Sequence, residues 1–312
     1  MAFEHTSVMP EEVKKYLALK PGHICVDCTL GGAGHAGQII QSILPDGKFI
    51  GIDQDIDAIN NARLIFKNNP GDITLIHDNF VNLPEIFASL NITGVDGIVL
   101  DLGLSLNQLK NSKRGFSFQR SEDLDMRMDT REQLTAMDII NSFKEKELAD
   151  IFFQYGEEKM ARKIAKNIIA KREEKKIKTT GELAEIVKES IPAKIQFKKK
   201  IHPATKVFQA LRIYVNRELE HLKTFMGNIP ELLNKNGHIV VISFHSLEDR
   251  IVKQQIKKFE DGCTCPRDLP RCACGFEQKL ESLFKKPLLP STKEIESNPM
   301  ARSAKMRVAK RI

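Results

Sequence analysis

The segment that most constrains the fold of this chain is a glycine-rich stretch between two apolar runs near the N-terminus. The first run, Ile24–Asp27, is followed by Gly31, Gly32 and Gly34, and the second, Lys48–Asp53, ends in a carboxylate. Glycine permits sharp turns and the close approach of a ligand because it has no Cβ. An acid about 20 residues beyond such a turn typically accepts hydrogen bonds from a ribose diol. The stretch therefore predicts a strand, a tight turn, a helix and a second strand that together bind a nucleoside cofactor.

Two cofactor classes fit this turn. The spacing Gly32-x-Gly34-x-x-Gly37 satisfies the dinucleotide fingerprint, so NAD is one candidate. Asp27 favours S-adenosylmethionine, because a carboxylate there can meet the cationic amino-acid end of that cofactor, whereas a pyrophosphate site gains nothing from negative charge. Asp78, which ends the next apolar run, suits an adenine amino group better than a phosphate. A glycine turn that binds nothing stays open as the simpler alternative.

Strand and helix signals alternate through the N-terminal third of the chain. A third strand is predicted to end at Asp78 and a fourth to span Val95–Asp101. Repeated units of this length predict an α/β fold with a doubly wound, mostly parallel sheet, whose ligands bind at the carboxyl ends of the strands. We therefore expect Asp53, Phe80 and Asp101 to converge on one crevice.

The pattern becomes entirely helical in the middle of the chain. Apolar residues at helical spacing continue to His202, and motifs of the capping-box type begin at Thr135 and Thr179. A buried strand with a polar end, Gly237–Ser246, marks the return of the sheet pattern, and the basic and apolar residues of the tail alternate like a final edge strand. We predict a first sheet segment at residues 1–106, an inserted all-helical domain at 107–202 and a second sheet segment with the C-terminal tail at 203–312.

Charge favours an anionic partner. The 312 residues carry a formal net charge of +7, and the pI is about 9.0. The basic runs Lys171–Lys176 and Lys198–Lys200 are either ordinary solvated faces or contacts for phosphates. No stretch approaches the roughly 18 apolar residues of a membrane span, and the N-terminus does not resemble a targeting segment. We expect a soluble, cytoplasmic protein with no membrane contact.

The six cysteines fall into two groups. Cys25 and Cys28 lie in the first strand, where small buried side chains are expected. The other four form two C-x-C pairs in one loop and are Cys263, Cys265, Cys272 and Cys274. Four thiolates in so short a span can hold zinc, although the usual spacing is C-x₂₋₄-C. Reduced thiols without metal remain the alternative, and no catalytic zinc is expected because histidine ligands are missing nearby.

Polar residues near the end of the helical segment are candidate substrate contacts. Gln209, Arg212 and Asn216 share one face of a predicted helix, which faces either solvent or the crevice. His245 ends the later strand, where it either contacts substrate or has a structural role.

Several sequence blocks, in chain order, carry a resemblance to a known family. They are His5-Thr-Ser-Val-Met9, Asp27-x-Thr-x-Gly-Gly-Ala-Gly-His35, Leu100-Asp-Leu-Gly-Leu-Ser105, Arg114-Gly-Phe-Ser-Phe118, Leu124-Asp-Met-Arg-Met-Asp129, His202-Pro-Ala-Thr205, Gln209-Ala-Leu-Arg-Ile213, Ile242-Ser-Phe-His-Ser-Leu-Glu-Asp-Arg250 and Asn298-Pro-x-Ala-Arg-Ser303. Together they resemble the bacterial 16S ribosomal RNA cytosine-N4 methyltransferase family (RsmH/MraW), over nearly the whole chain. The resemblance implies a Rossmann-like S-adenosylmethionine-dependent methyltransferase fold.

The same resemblance implies the reaction and its partners. The substrate would be the exocyclic amine of a decoding-centre cytosine in 16S rRNA, as naked RNA or in the small ribosomal subunit, and a homodimer stays open. The implied cofactor contacts are Ala33, Gly34, His35, Asp53, Phe80, Asp101 and Gln108. The candidate substrate contacts are Arg114, Arg127, Gln209, Arg212, Asn216 and His245. The chain departs from the family at Leu106, where a second serine is common, and at Lys110, where an acid is common.

Asp101 is the candidate catalytic residue. A cytosine amine is a poor nucleophile because its lone pair is delocalised into the ring. A carboxylate at this position can orient the amine and accept its proton. Many amino-methyltransferases carry an Asp/Asn-Pro-Pro-aromatic tetrapeptide here, whereas this chain has Asp101-Leu-Gly-Leu104. A base role and a purely cofactor-binding role for Asp101 therefore both stay open.

Overall fold

The computed structural model describes residues 7–196, 201–263, 265 and 273–312. The chain divides into two compact units, which we call the sheet unit (Met1–Gly103 and Leu219–Ile312) and the helical unit (Leu104–Glu218). The second boundary therefore differs from the predicted one at residue 202. The physical reason is the helix at Thr205–Val215, whose apolar residues Phe208 and Leu211 belong to the core of the helical unit.

The sheet unit contains a seven-stranded sheet with the order β3-β2-β1-β4-β5-β7-β6. Its strands are β1 (Ile24–Asp27), β2 (Lys48–Asp53), β3 (Asp72–His77), β4 (Val95–Asp101), β5 (Leu233–Ser243), β6 (Leu280–Ser282) and β7 (Lys305–Arg311). The first five strands are parallel, and β7 runs antiparallel to both β5 and β6. The prediction of a mostly parallel α/β sheet is confirmed.

The prediction that the tail forms an edge strand is wrong. β7 lies between β5 and β6, and the short β6 occupies the edge. The cause is burial on both sides of β7, where Met306, Val308 and Ala309 are all at most 3% exposed. Burial on both faces is typical of a strand inside a sheet that is covered on both sides.

The helices are, in chain order, α1 (Pro10–Leu17), α2 (Gly34–Ile43), α3 (Ile56–Ile65), α4 (Leu83–Ser89), α5 (Leu106–Lys110), α6 (Ala136–Ser142), α7 (Glu145–Gln154), α8 (Ala161–Glu174), α9 (Thr180–Ser190), α10 (Ala193–Gln196), α11 (Thr205–Val215), α12 (Glu218–Leu232), α13 (Ser246–Glu260) and α14 (Thr292–Ser297). Two 3₁₀ turns, Phe80–Asn82 and Pro299–Ser303, add to these. The sequence predicted capping boxes at Thr135 and Thr179, and both are present at the starts of α6 and α9.

Two hydrophobic cores flank the sheet. Neighbouring residues of one strand alternate between them: Ile98 and Leu100 of β4 belong to one core and Val99 to the other. This follows from the period of two in side-chain direction along a strand. Phe225 of α12 joins the first core, and Ile39 of α2 joins the second. The sheet is thus covered by helices on both faces, which leaves the ends of its strands available for a ligand.

The helical unit has a core of its own, built by α6 to α9 and α11. An isolated antiparallel bridge between Asp123 and Thr179 ties its irregular first part to the start of α9. Gly115 makes this crossing possible, because its φ is +72° and a Cβ there would overlap the carbonyl oxygen of Asp123.

We therefore expect Gly115→Ala to lower the free energy of unfolding by about 2–4 kcal/mol, because it combines backbone strain with a steric overlap. Gly227→Ala is the matched control: Gly227 lies inside α12, where an added Cβ meets nothing within 4 Å. That substitution should leave stability unchanged or raise it by up to about 1 kcal/mol. Urea unfolding followed by circular dichroism measures both, and equal midpoints for the two variants would contradict the assignment.

Candidate cofactor site

Three acids end three neighbouring strands of the sheet. Asp53 ends β2, Asp27 ends β1 and Asp101 ends β4, and β2, β1 and β4 are consecutive in the sheet. Because these strands are parallel, their carboxyl ends lie at the same edge, which is where open α/β sheets bind ligands. The site is therefore built at this edge, within the sheet unit.

The glycine turn that the sequence predicted follows β1, and two of its residues have left-handed backbone. Gly31 has a φ of +46°, and Ala33, the residue before α2, has a φ of +63°. A non-glycine residue in the left-handed region is uncommon and often marks a functional site. The turn is held from both ends, since the amide of Thr29 donates to Asp27 Oδ1 at 3.0 Å and the amide of Gly31 donates to Asp53 Oδ2 at 2.9 Å.

Asp53 has the geometry expected of a ribose-binding acid. Its Oδ2 accepts from Gly31, and its Oδ1 accepts from the amide of Asp55 at 2.8 Å. Each carboxylate oxygen retains a further lone pair for a hydroxyl donor. Burial raises the pKa of Asp53 to about 7, against the stabilising effect of the two amides. Burial therefore disfavours the ionised form of Asp53, and hydrogen bonds from a bound diol would stabilise that form.

This shifted pKa predicts a pH-dependent stability. Between about pH 4 and 7 the folded protein holds a proton on Asp53 that the unfolded chain releases, so stability is lost as the pH rises through this window. Asp53→Asn resembles the protonated form at every pH. Relative to the wild type, the variant should therefore gain about 2–3 kcal/mol between pH 5 and pH 8, at about 1.4 kcal/mol per pKa unit.

Urea unfolding of the two apoproteins at both pH values measures this change. Asp72→Asn serves as the control, because Asp72 is exposed at the start of β3. A stability difference between Asp53→Asn and the wild type that does not depend on pH would contradict the prediction.

His35 and Asp101 form a buried pair beside the turn. His35 Nε2 lies 3.5 Å from Asp101 Oδ2, and the two side chains are 5% and 14% exposed. Burial alone lowers the pKa of His35, but the nearby carboxylate of Asp101, together with the charge of Asp27, outweighs it and raises the pKa. Asp101 is fixed in turn, since its amide donates to Thr29 Oγ1 at 2.7 Å.

Buried polar atoms in this pair fit a polar ligand. Within the described part of the chain, both ring nitrogens of His35 and Asp101 Oδ1 are buried and make no hydrogen bond. Such atoms are costly unless something pairs with them. Asp27 is 2% exposed, and burial raises its pKa to about 6. A cationic ligand would stabilise its ionised form, which matches the amino-acid end and sulfonium of S-adenosylmethionine better than the phosphates of NAD.

The end of β3 is tied to β2 through Asn79. Its side-chain amide donates to Gln54 Oε1 at 3.0 Å, and its Oδ1 caps the 3₁₀ turn by accepting from Val81. Phe80 is 8% exposed, and its ring packs edge-to-face on Phe225 with centroids 5.2 Å apart. The structure therefore gives Phe80 a place in the core, and its cofactor contact stays a prediction.

Gln108 lies in the helical unit, where it belongs to a capping box. Its side chain accepts from the amide of Ser105 at 3.0 Å, and its own amide donates to Ser105 Oγ at 3.1 Å. Its role as a cofactor contact stays a prediction.

Two of the candidate substrate residues are built into the helical unit. Arg114 is 9% exposed and donates through Nη1 to the carbonyls of Arg127 and Met128. Asn216 is 8% exposed, accepts from the amide of Met128 at 2.7 Å and donates to the carbonyl of Met126. Both side chains organise the segment that contains the block Leu124–Asp129, which supports a positioning role.

The other candidates also have partners within their own unit. Arg127 forms a bidentate pair with Asp125, and Arg212 forms one with Glu218, in which both contacts are 2.9 Å. Gln209 has a long contact of 3.5 Å to the carbonyl of Tyr155. Their substrate contacts stay predictions.

His245, in the sheet unit, caps a helix. It precedes α13 and takes part in a capping box with Glu248, and its Nε2 lies 3.1 Å from Glu248 Oε1. Glu248 is only 2% exposed, so the pair is part of the interior. This geometry favours the structural alternative for His245.

A basic surface that the sequence reasoning missed lies on α8 and just before it. Lys159, Arg162, Lys163 and Lys166 are all exposed, while Ile164 and Ile168 of the same helix are buried. The signal was the spacing of these charges at i, i+3, i+4 and i+7, which places them on one helical face. We call these four residues the α8 basic face.

The basic runs singled out from the sequence differ from this face. Lys171 pairs with Glu174, Lys175 pairs with Glu182, and Arg172 donates to the carbonyls of Ile140 and Phe143. Lys198–Lys200 lie outside the described residues.

The strand order, the left-handed turn and the acid-ended strands define a Rossmann-like methyltransferase, a class whose cofactor is S-adenosylmethionine. The chain belongs to the MraW methylase family, whose model matches residues 2–312. It is 58% identical over 312 residues to the ribosomal RNA small subunit methyltransferase H of Desulforapulum autotrophicum, covering 100% of both chains. It is 47% identical to the protein of the same name from Clostridium botulinum, again over 100% of both.

A solved structure also aligns with nearly the whole chain. SMU.1697c of Streptococcus mutans, solved in complex with SAH, aligns with 99% of this chain and 100% of its own, with a TM-score of 0.44 and 9% identity. Among the described residues, no helix is long and apolar enough to cross a membrane.

Proposed function

We propose that this methyltransferase transfers the methyl group of S-adenosylmethionine to the exocyclic N4 amine of a cytosine in the decoding centre of 16S rRNA. The observation that carries the proposal is the full-length identity of 58% to a protein named ribosomal RNA small subunit methyltransferase H. The buried His35–Asp101 pair supports it, because it supplies an acceptor at the end of β4 for an amine donor. The cofactor supplies an electrophilic methyl group, and the chain must supply position and proton acceptance.

The acids at the strand ends have separate roles in this proposal. Asp53 accepts hydrogen bonds from the ribose hydroxyls, and Asp27 offsets the positive charge of the cofactor. Asp101 Oδ1, which is buried at the carboxyl end of β4, accepts a hydrogen bond from the amine of the base. That bond aligns the nitrogen lone pair with the methyl group, and alignment of this kind lowers the barrier by several kcal/mol. As the nitrogen–methyl bond forms and the sulfur–methyl bond of the cofactor breaks, the amine loses one proton, which the carboxylate accepts.

His35 positions Asp101 in this scheme. With its Nε2 3.5 Å from Asp101 Oδ2, it restricts the carboxylate on the side away from Oδ1. Its raised pKa favours a protonated ring, which places a positive charge beside the carboxylate.

The helical unit supplies the charge needed to bind RNA. Residues 104–218 contain 25 lysines and arginines against 17 aspartates and glutamates, so the positive excess of the chain resides entirely in this unit. We assign the phosphate contacts to the α8 basic face, whose side chains are exposed. Since a cytosine inside a duplex is inaccessible, the target must be a loop or an extruded base.

Transfer of tritium from labelled S-adenosylmethionine tests the proposal. Naked small-subunit RNA and assembled small subunits from cells lacking the enzyme serve as parallel substrates, and digestion to nucleosides identifies the product. We expect N4-methylcytidine from at least one substrate. Label in a different nucleoside would mean that another amino group is the acceptor, and no label in either substrate would contradict the proposal.

A further inference from the structure

A cluster of cysteine side chains lies outside the candidate cofactor site. The sulfur atoms of Cys263, Cys265 and Cys274 all lie within 4.8 Å of one another, in the segment between α13 and β6. Cys272, the remaining member of the two C-x-C pairs, lies outside the described residues. Nothing in the proposed methyl transfer uses these thiols, so their convergence needs a separate explanation.

The sulfur geometry fits metal coordination. Cys263 Sγ and Cys274 Sγ are 3.6 Å apart, which is far longer than a disulfide bond of about 2.05 Å. In a tetrahedral zinc site with Zn–S bonds of about 2.3 Å, neighbouring sulfur atoms are about 3.8 Å apart. The observed separation is therefore close to that of two thiolates on one ion.

The backbone around the cluster provides a further typical element of thiolate metal sites. The amide of Ala273 donates to Cys265 Sγ at 3.3 Å. An amide that donates to sulfur stabilises the thiolate over the thiol and orients it, as the outer partners of metal ligands do. The backbone of the chain thus already orients one of the three sulfur atoms.

The segment is closed at its base by contacts independent of the cysteines. The amide of Lys279 donates to the carbonyl of Phe259 at 2.9 Å. Gly262 lies so close to Phe276 that an added Cβ would be 2.8 Å from its ring, and Gly275 takes a φ of +65° directly after Cys274. These contacts bring Cys274 close to Cys263 and Cys265 and reduce the entropy that metal binding must overcome.

We propose that Cys263, Cys265 and Cys274 bind one zinc ion as thiolates, and that this ion stabilises the segment between α13 and β6. Soft thiolate ligands favour zinc over magnesium or calcium. The cluster belongs to a segment separate from the acids at the carboxyl edge of the sheet, so the ion has a structural role. It also protects three sulfur atoms, two of them exposed, from oxidation.

Metal analysis of the full-length chain, purified without chelators, tests this proposal. We expect inductively coupled plasma mass spectrometry to give about one zinc per chain, as for structural thiolate sites. After exchange with cobalt, the chain should show the charge-transfer and strong visible bands of tetrahedral cobalt–thiolate coordination. Cys263→Ser/Cys265→Ser/Cys274→Ser should lose both the zinc and the bands.

Two further variants separate metal binding from general damage to the fold. Cys25→Ala removes a buried cysteine of β1 and should retain the full zinc content. Cys274→Ser alone changes one exposed side chain and should weaken zinc affinity by at least about tenfold. Circular dichroism reports whether each variant is folded. The proposal is overturned if the wild type binds no zinc after incubation with zinc chloride, if the triple variant retains it, or if a disulfide joins these cysteines in the protein as purified.

Discussion

Asp101→Asn should reduce the turnover of methyl transfer by about 10²–10⁴-fold, the range typical of a lost general base. The carboxamide keeps the size of the side chain and one oxygen acceptor, but it cannot take up the proton that the amine releases. Because Asp101 Oδ1 is shielded from solvent and Oδ2 lies beside His35 Nε2, no solvent-exposed carboxylate can readily replace it. The measurement is single-turnover transfer to small-subunit RNA or subunits at saturating cofactor.

The affinity for S-adenosylmethionine distinguishes the two roles of Asp101. If Asp101 acts mainly on the amine, calorimetry should give an affinity for Asp101→Asn within about threefold of the wild type while turnover falls. Asp53→Asn is the matched control with the opposite pattern, because its carboxylate faces the glycine turn. Near-normal turnover of Asp101→Asn together with weakened cofactor binding would assign Asp101 to the cofactor and refute the base role.

Methyl transfer to RNA should fall about 50- to 150-fold between 50 and 200 mM salt if four phosphates are contacted. Each lysine or arginine that binds a phosphate releases condensed counterions, so the logarithm of kcat/KM falls linearly with that of the salt concentration. The four side chains of the α8 basic face are the proposed origin of this effect. The measurement uses RNA below saturation, and a flat response would count against RNA recognition by this face.

Substitutions test whether the α8 basic face itself is responsible. Lys163→Gln/Lys166→Gln should reduce the slope of log kcat/KM against log salt concentration by about 1.5, because two phosphate contacts are lost. Lys188→Gln is the matched control: Lys188 is an exposed lysine of the same unit, and its Nζ lies 3.2 Å from Glu185 Oε1. It should leave the slope unchanged. Equal slopes for the double variant and the control would place the phosphate contacts elsewhere.

Much of the sheet unit follows from local patterns. Apolar runs that end in Asp27, Asp53 and Asp101 predicted β1, β2 and β4, because buried parallel strands have continuous apolar sequences and their polar ends mark the edge of the sheet. The glycine turn was equally clear, since closely spaced glycines between two apolar runs are a local signal for a tight turn. The tail was harder, because an alternating pattern does not reveal that β6 pairs with its other side.

The helical unit was predictable in class and less so in detail. Thr135 and Thr179 predicted the starts of two of its helices, because a capping box is a local signal. The C-terminal boundary of the helical unit was not predictable, since the apolar face of α11 fits either unit. Packing decides which core that face joins. The polar residues Arg114 and Asn216, which the sequence presented as candidate substrate contacts, are paired with backbone groups of the segment around Met128, and their substrate contacts stay predictions.

The sequence by itself determined the elements, the glycine turn and the acids at the strand ends, because each depends on neighbours a few residues away. Only the tertiary structure decided which side chains share a site. It joined His35 to Asp101, 66 positions later, at 3.5 Å and brought Cys263 to Cys274 at 3.6 Å. Pairings of this kind depend on strand order and on how loops close, and these are set by the burial of the whole chain. The local sequence therefore determines which chemical groups are present and in which elements, while the fold determines which of these groups come into contact.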